Sequence, residues 1–267
     1  MKSYSRAIVR PPSTNFAAGL TTVALGRPDY EVALSQHEAY CRALENCGLS
    51  LTRLAADERH PDSTFVEDTA VLTAHGAVIA RPGAPSRLGE IDEITAVLRE
   101  HYPQLFEIVA PGTLDGGDVC EAGDRFFIGV SHRTNEAGAT QLAAFLANFG
   151  YDSALIDVRG LSNILHLKSG LAHLGGNRLL VIDELKDLEQ LSGYDLLHVD
   201  SSEAYAANCL LVNGKLLLAS GFPGLQAELK RLDYETIELD MSEFQKMDGG
   251  LSCLSLRFKE DYGRRFR

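Results

Sequence analysis

The chain has 267 residues, of which 45% are hydrophobic and 23% charged, with a formal net charge of -12. That balance suits a globular chain with a substantial core, and the charge argues against a phosphate-backbone partner, which needs clustered Lys and Arg. No apolar run approaches the roughly 18 to 20 residues of a membrane span, and the amino terminus lacks a signal-peptide core. Neither nucleic acid nor membrane is therefore expected as a partner, and a small cationic ligand fits better. Cys41, Cys47, Cys120, Cys209 and Cys253 are odd in number and scattered, with no CxxC pair. This favours a reducing, cytoplasmic location over a disulfide framework or structural zinc.

In chain order, a strand at 7–10 and a helix at about 30–47 come first. Strands at 69–73 and 77–80 flank His75-Gly76 and lead to a helix at about 88–101 and a strand near 105–109. Strands at 119–121 and 126–129 flank Gly123-Asp124, ahead of a helix at about 136–149 and a strand near 153–158. A third hairpin, 170–174 with 178–182 around Gly176-Asn177, precedes acidic helical residues near 184–191. A fourth, 209–212 with 215–218, turns at Asn213-Gly214, a favoured hairpin dipeptide, before a helix at about 225–232 and a strand near 236–239. A strand at 253–258 closes the chain.

A unit of two strands, a helix and a third strand thus recurs, and one copy is split between the two termini. Repeats of this length call for a solenoid or a closed ring, and sharing a unit between the termini favours closure, which removes exposed sheet edges. The alternative is an open mixed sheet. In a closed ring, loops at one end of the strands converge on the axis. The segments there are Phe65-Val66-Glu67-Asp68, Leu114-Asp115-Gly116-Gly117-Asp118, the stretch from Ile164 to Gly170 with His166, Ala206-Ala207-Asn208-Cys209, and Gly249-Gly250-Leu251-Ser252-Cys253.

Cys253 follows a double glycine, which suits close approach of a ligand to the main chain; its plain alternative is a small core residue on a strand. Asp68 and Asp115 would disfavour a resident anion but suit a guanidinium, whose N–H fan matches carboxylate oxygens. Such a cation about 4 Å from sulfur contributes on the order of 4 kcal/mol at an effective dielectric of 20, roughly three pKa units toward thiolate. Cys253 would attack the guanidinium carbon, His166 would act as acid and then base, and Asp115 would orient substrate and histidine. The chemistry needs no metal and no organic cofactor. Taken singly, His166 also reads as a core histidine, Asp115 and Asp118 as turn formers, Glu67-Asp68 as a solvated pair and Asn208 as a turn residue.

Together these motifs resemble the dimethylarginine dimethylaminohydrolase family, of the guanidine-modifying, or amidinotransferase, superfamily. The resemblance runs over nearly the whole chain. It implies a single α/β domain over 1–267, a five-bladed α/β propeller (pentein) of ββαβ units with pseudo-fivefold symmetry. It also implies hydrolysis of Nω-methylated arginine to citrulline and dimethylamine or methylamine. Position by position, Cys253 is then the nucleophile and His166 the acid/base, Asp115 and Asp68 hold the guanidinium, and Glu67 is a further substrate-binding residue. Asp62, Arg87, Arg133 and the Leu20 carbonyl belong to the amino-acid end. Arginine deiminases carry an acid two residues after the histidine, where this chain has Lys168; losing that acceptor leaves room for methyl groups. The rivals are another hydrolase or amidinotransferase acting on arginine or agmatine, and a non-catalytic propeller that binds a partner. A homodimer is compatible with the sequence.

Overall fold

The computed structural model describes residues 3–161 and 164–259. Its strands form five separate three-stranded sheets. The first sheet uses β1 (Arg6–Val9), which is followed by α1 (Tyr30–Asn46) and β2 (Ser50–Arg53). The second has β3 (Ala70–Leu72), β4 (Ala77–Ile79), α2 (Ile91–His101) and β5 (Leu105–Glu107); the third has β6 (Val119–Ala122), β7 (Arg125–Val130), α3 (Glu136–Asn148) and β8 (Asp152–Asp157). The fourth has β9 (Leu171–His173), β10 (Arg178–Ile182) and β11 (Asp195–Val199), and the fifth β12 (Leu210–Val212), β13 (Lys215–Ala219), α4 (Pro223–Arg231) and β14 (Glu235–Leu239). After the short α5 (Ser242–Gln245), β15 (Leu256–Phe258) returns to the first sheet.

Every sheet has one pattern: an antiparallel pair, then a third strand parallel to the middle one. β15 pairs with β1, so the two ends of the chain share a blade, and β15 in turn lies against β3. This is the closed five-bladed α/β propeller expected from the repeats, and the open sheet is ruled out. Apolar side chains from neighbouring blades interleave into shared core clusters, one of them joining Phe16, Phe65 and Phe244. No helix among the described residues is long and apolar enough to cross a membrane.

Three expectations need correction. The acidic stretch at 184–191 is not one helix but two 3-10 turns, Asp183–Leu185 and Glu189–Leu191. Asp183 and Asp187 would repel at i, i+4 in a helix. Two outer strands, β2 and β11, were not foreseen; each is held by its parallel pairing to the middle strand of its sheet. Cys253 lies not on a strand but in the 3-10 turn Ser252–Leu254, ahead of β15.

That last correction reveals what builds the site. A 3-10 turn precedes the first strand of each antiparallel pair: Val66–Thr69, Gly116–Asp118, Leu167–Ser169, Ser201–Ala207 and Ser252–Leu254. Successive turns touch one another, and Asn208 closes the circle by accepting from Ser252 N–H at 2.9 Å. The rim residues singled out in the sequence sit in these turns or at their ends.

At the opposite end, hairpin turns secure the blades. Asn213 adopts φ 51, and its side chain joins the first blade by accepting from Tyr4 N–H at 2.8 Å and donating to the carbonyls of Tyr4 at 2.9 Å and Cys47 at 2.8 Å. Asn213→Ala is expected to lower stability by about 2 kcal/mol, since it removes these bonds and the residue type that tolerates this backbone. A urea midpoint equal to the parent's would show the seam carries no weight.

Candidate active site

The pocket at the ring's inner turns is lined by Asp68, His166 and Cys253 together with Leu20, Asp62, Arg87 and Arg133. Its volume is about 20 Å³, room for one water. An arginine-sized ligand therefore requires the pocket to widen, and the irregular segment bearing Leu20 forms part of its wall. That segment is latched to the loop before Cys253, with Thr21 Oγ1 donating to the Lys246 carbonyl at 3.0 Å and Thr22 to the Asp248 carboxylate.

His166 stands just before the turn Leu167–Ser169, and its Nε2 lies 3.1 Å from Asp115 Oδ2. Burial opposes charge on the ring, but Asp68, Asp118 and Asp115 outweigh it and hold the pKa up at about 9. Burial likewise opposes charge on Asp115, but the bond to His166 prevails and holds its pKa down at about 2. The pair is thus imidazolium and carboxylate at neutral pH. Gly117 explains one glycine of the motif: a Cβ there would come within 2.7 Å of His166 Nδ1 and 2.8 Å of Asp68 Oδ1.

Asp68 accepts from Gly117 N–H at 2.8 Å and from Arg87 Nη1 at 2.7 Å. Arg87 continues to Glu90, which takes Nε at 3.0 Å and Nη2 at 2.8 Å. Burial raises the Glu90 pKa to about 6 against the pull of Arg87. Cys253 is buried in the pocket wall. Burial, then the charges of Glu67 and Asp68, push its thiol up to about 12, so the resting sulfur keeps its proton.

In the same pocket wall, Asp62 accepts from Leu20 N–H at 3.0 Å, and burial raises its pKa. Leu20 has its N–H engaged and its side chain 40% exposed. Arg133 is half-buried and, among the described residues, has no partner for its guanidinium. Arg87, expected as a free fork, arrives already paired and retains at most one N–H, on Nη1, for a ligand.

Two expected contacts are not made. Asp115 was expected to hold a guanidinium, but it lies behind His166, fully buried, with its oxygens engaged by Gly83 N–H at 2.8 Å and the imidazole. Glu67 was expected in the pocket, yet its carboxylate points to a separate cavity of about 720 Å³. There it meets Lys168 at 2.7 Å, Arg257 at 2.9 Å and Ser252 Oγ at 2.7 Å. Neighbours in a tight turn cannot both face the axis from the same side. Sequence reasoning also gave no role to Asp118, whose Oδ1 takes Leu167 N–H at 2.9 Å next to His166 and whose Oδ2 takes Ser131 Oγ at 2.6 Å; it belongs to the same Asp-Gly-Gly-Asp motif.

Asp68, Asp115 and His166 bring one donor atom each within 4.8 Å of one another. They are already balanced internally, Asp68 by Arg87 and Asp115 by the imidazolium, so the trio is better matched to its own cations than to a metal ion.

Five blades closed around a cysteine, a histidine and buried acids define an α/β propeller of the guanidine-modifying class, and residues 57–207 match the family model described as arginine deiminase. Within that class the chain belongs to the dimethylarginine dimethylaminohydrolase family. It is 43% identical over 256 residues, 96% of this chain and 100% of the relative, to the N(G),N(G)-dimethylarginine dimethylaminohydrolase of Pseudomonas aeruginosa. A cysteine-to-serine variant of the Pseudomonas aeruginosa protein, solved in complex with citrulline, matches with TM-score 0.93 and 42% identity over 96% of this chain and 100% of that one. A dimethylarginine dimethylaminohydrolase with a histidine-to-glycine substitution, solved as an adduct with S-methyl-L-thiocitrulline, matches with TM-score 0.92 and 42% identity over the same shares.

The ion pair sets a pH signature. The Asp115 carboxyl, lowered from 3.8 to about 2, adds stability above pH 3.8 that is lost as pH falls through 2. The His166 ring, raised from 6.5 to about 9, adds stability below pH 6.5 that is lost as pH rises through 9. The gap in urea stability between the parent and Asp115→Asn should be widest between these limits and close above pH 9. A gap unchanged to pH 10 would contradict the charged pair. Separately, Glu67→Gln should cost about 3 kcal/mol by stranding Lys168 and Arg257; an unshifted urea midpoint would contradict its place in the rear network.

Proposed function

We propose that the chain hydrolyses Nω-methylated arginine to citrulline and dimethylamine or methylamine through a covalent Cys253 intermediate. The observation that carries this reading is the make-up of one pocket. Cys253, His166 and Asp68 share its wall with Asp62, Arg133 and Leu20, a mixture of acids, a nucleophile and a guanidinium unpaired among the described residues, which suits a substrate with a guanidinium head and an amino-acid tail. The citrulline complex and the S-methyl-L-thiocitrulline adduct of the related structures support an arginine-derived substrate.

When the guanidinium binds, its charge lowers the cost of removing the thiol proton. At about 4 Å and an effective dielectric of 20 the attraction is on the order of 4 kcal/mol. The thiol proton passes to solvent, and the thiolate forms a bond to the guanidinium carbon. The C–N bond to the methylated nitrogen breaks, and that nitrogen leaves as the amine with the proton from His166. Neutral His166 next takes a proton from water as the water oxygen bonds to the same carbon. The C–S bond breaks, the oxygen becomes the ureido oxygen of citrulline, and the sulfur is regenerated. Asp115 holds the imidazole and stabilises its charged form, and Asp68 fixes the guanidinium plane.

Arg133 is the main fork for the α-carboxylate, Arg87 contributes its remaining N–H, and Asp62 and the Leu20 carbonyl receive the α-amino group. Lys168 turns away to Glu67 and offers no second acceptor near the guanidinium, which favours methylated over free arginine. The five cysteines are free and buried, in keeping with a reducing, cytoplasmic setting, and we assign the activity to one domain spanning 1–267.

Purified protein is expected to release citrulline from dimethylarginine, faster than from arginine or agmatine. Cys253→Ser and His166→Gly should each reduce turnover by about a thousandfold or more. Full activity in Cys253→Ser would exclude the covalent route, and a preference for agmatine, which has no carboxylate, would exclude the role given to Arg133.

A further inference from the structure

The proposed chemistry, on which this inference rests, needs sulfur and imidazole at a fixed separation, yet they stand on turns from different blades. Between those blades lies the one whose inner turn is Ser201–Ala207, and it sends no side chain into the pocket wall. What it offers near the axis is Asn208, at the end of that turn and 7% exposed.

The two halves of its amide are engaged in different directions. Oδ1 accepts from Ser252 N–H at 2.9 Å. Nδ2 donates to the Lys168 carbonyl at 3.1 Å and to Ser252 Oγ at 3.3 Å, with Cys253 Sγ at 4.0 Å. One side chain therefore holds the main chain one residue before the cysteine and two residues after the histidine. Glu67 spans the same turns, but through Ser252 Oγ and Lys168 Nζ, groups that rotate; Asn208 fixes backbone at both ends.

Gly250 supplies a second observation. A Cβ at that position would lie 2.6 Å from Asn208 Oδ1, so the second glycine of the pair keeps open the space this amide occupies. The close approach of Gly250 and the bonds to both turns belong to one arrangement.

We infer that Asn208 is a positioning residue for the reaction: its amide ties the Cys253 turn to the His166 turn and so fixes the sulfur relative to the imidazole. A carboxylate in its place would keep the acceptor for Ser252 but lose the donor to Lys168, and would set a negative charge beside the sulfur. Gly250→Ala would displace the same amide by adding a methyl group.

The test compares parent, Asn208→Ala, Asn208→Asp and Gly250→Ala in two assays. One is citrulline release, and the other is the pH profile of Cys253 alkylation by iodoacetamide, located by mass spectrometry. Expected are a fall in kcat of about 10 to 100-fold with KM within about threefold for Asn208→Ala and Gly250→Ala, in line with loss of alignment. An alkylation midpoint moved to higher pH is expected for Asn208→Asp, in line with an added like charge. A folded Asn208→Ala with kcat within twofold of the parent and an unchanged alkylation profile would overturn the inference. If Asn208→Ala does not fold, Asn208→Asp decides it by the same readouts. A parent that releases no citrulline would instead count against the function, and the alkylation profiles alone would then decide the inference.

Discussion

The structure depends on one constraint: a set of charges taken out of water at the axis of a ring. Asp68, Asp115, Asp118, Arg87, Glu90 and His166 are all buried. Each would cost several kcal/mol alone, so each must find a partner, within one unit for Asp68, Arg87 and Glu90 and across blades for Asp115 and His166. Asp68 and Arg87 belong to one unit; Asp115 and Asp118 come from the next, and His166 from the one after. The five 3-10 turns bring them together, and a turn displaced by one residue would strand a buried charge. Closure of the propeller and pairing at its axis thus depend on each other.

The same burial determines where the protons rest. Burial and nearby carboxylates keep the proton on sulfur, while three acids hold a proton on the imidazole against burial. The unliganded site stores an acid and an unreactive thiol. An arriving cation favours the thiolate and, as a like charge, opposes the imidazolium, which the three acids must then hold; nucleophile and leaving-group acid are brought together when substrate is present. A permanently ionised cysteine would instead face the repulsion of Asp68 and Glu67 continuously.

Much of the architecture was legible because its signals are local. Hairpin dipeptides such as Asn213-Gly214 force a backbone that few residues accept, and the repeating hairpin, helix and strand gave the ring. β11 was missed because no α-helix precedes it to mark its place, whereas β14, with the same half-exposed pattern, follows one; nothing in the four residues of β2 marked it. In the site, Cys253, His166 and Asp68 were readable from their position before each hairpin. The opposite directions of Glu67 and Asp68 were not, since adjacent residues in a tight turn differ only in geometry. Glu90, three residues after Arg87, carried no signal of its own, and the retreat of Asp115 behind His166 follows from the Gly83 contact, which is long-range. Asn208 was visible at an equivalent rim position but had no chemistry to mark it.

The account's central claim is that substrate charge creates the nucleophile. Ultraviolet difference spectroscopy of the thiolate, parent minus Cys253→Ser, tests it directly at about pH 9.5, between the free thiol's pKa of about 12 and the value roughly three units lower expected with the cation bound, with and without a saturating, unreactive guanidinium ligand. The account predicts no thiolate signal in the free protein and its appearance on binding; a full thiolate signal before ligand is added, unchanged by it, would contradict the account.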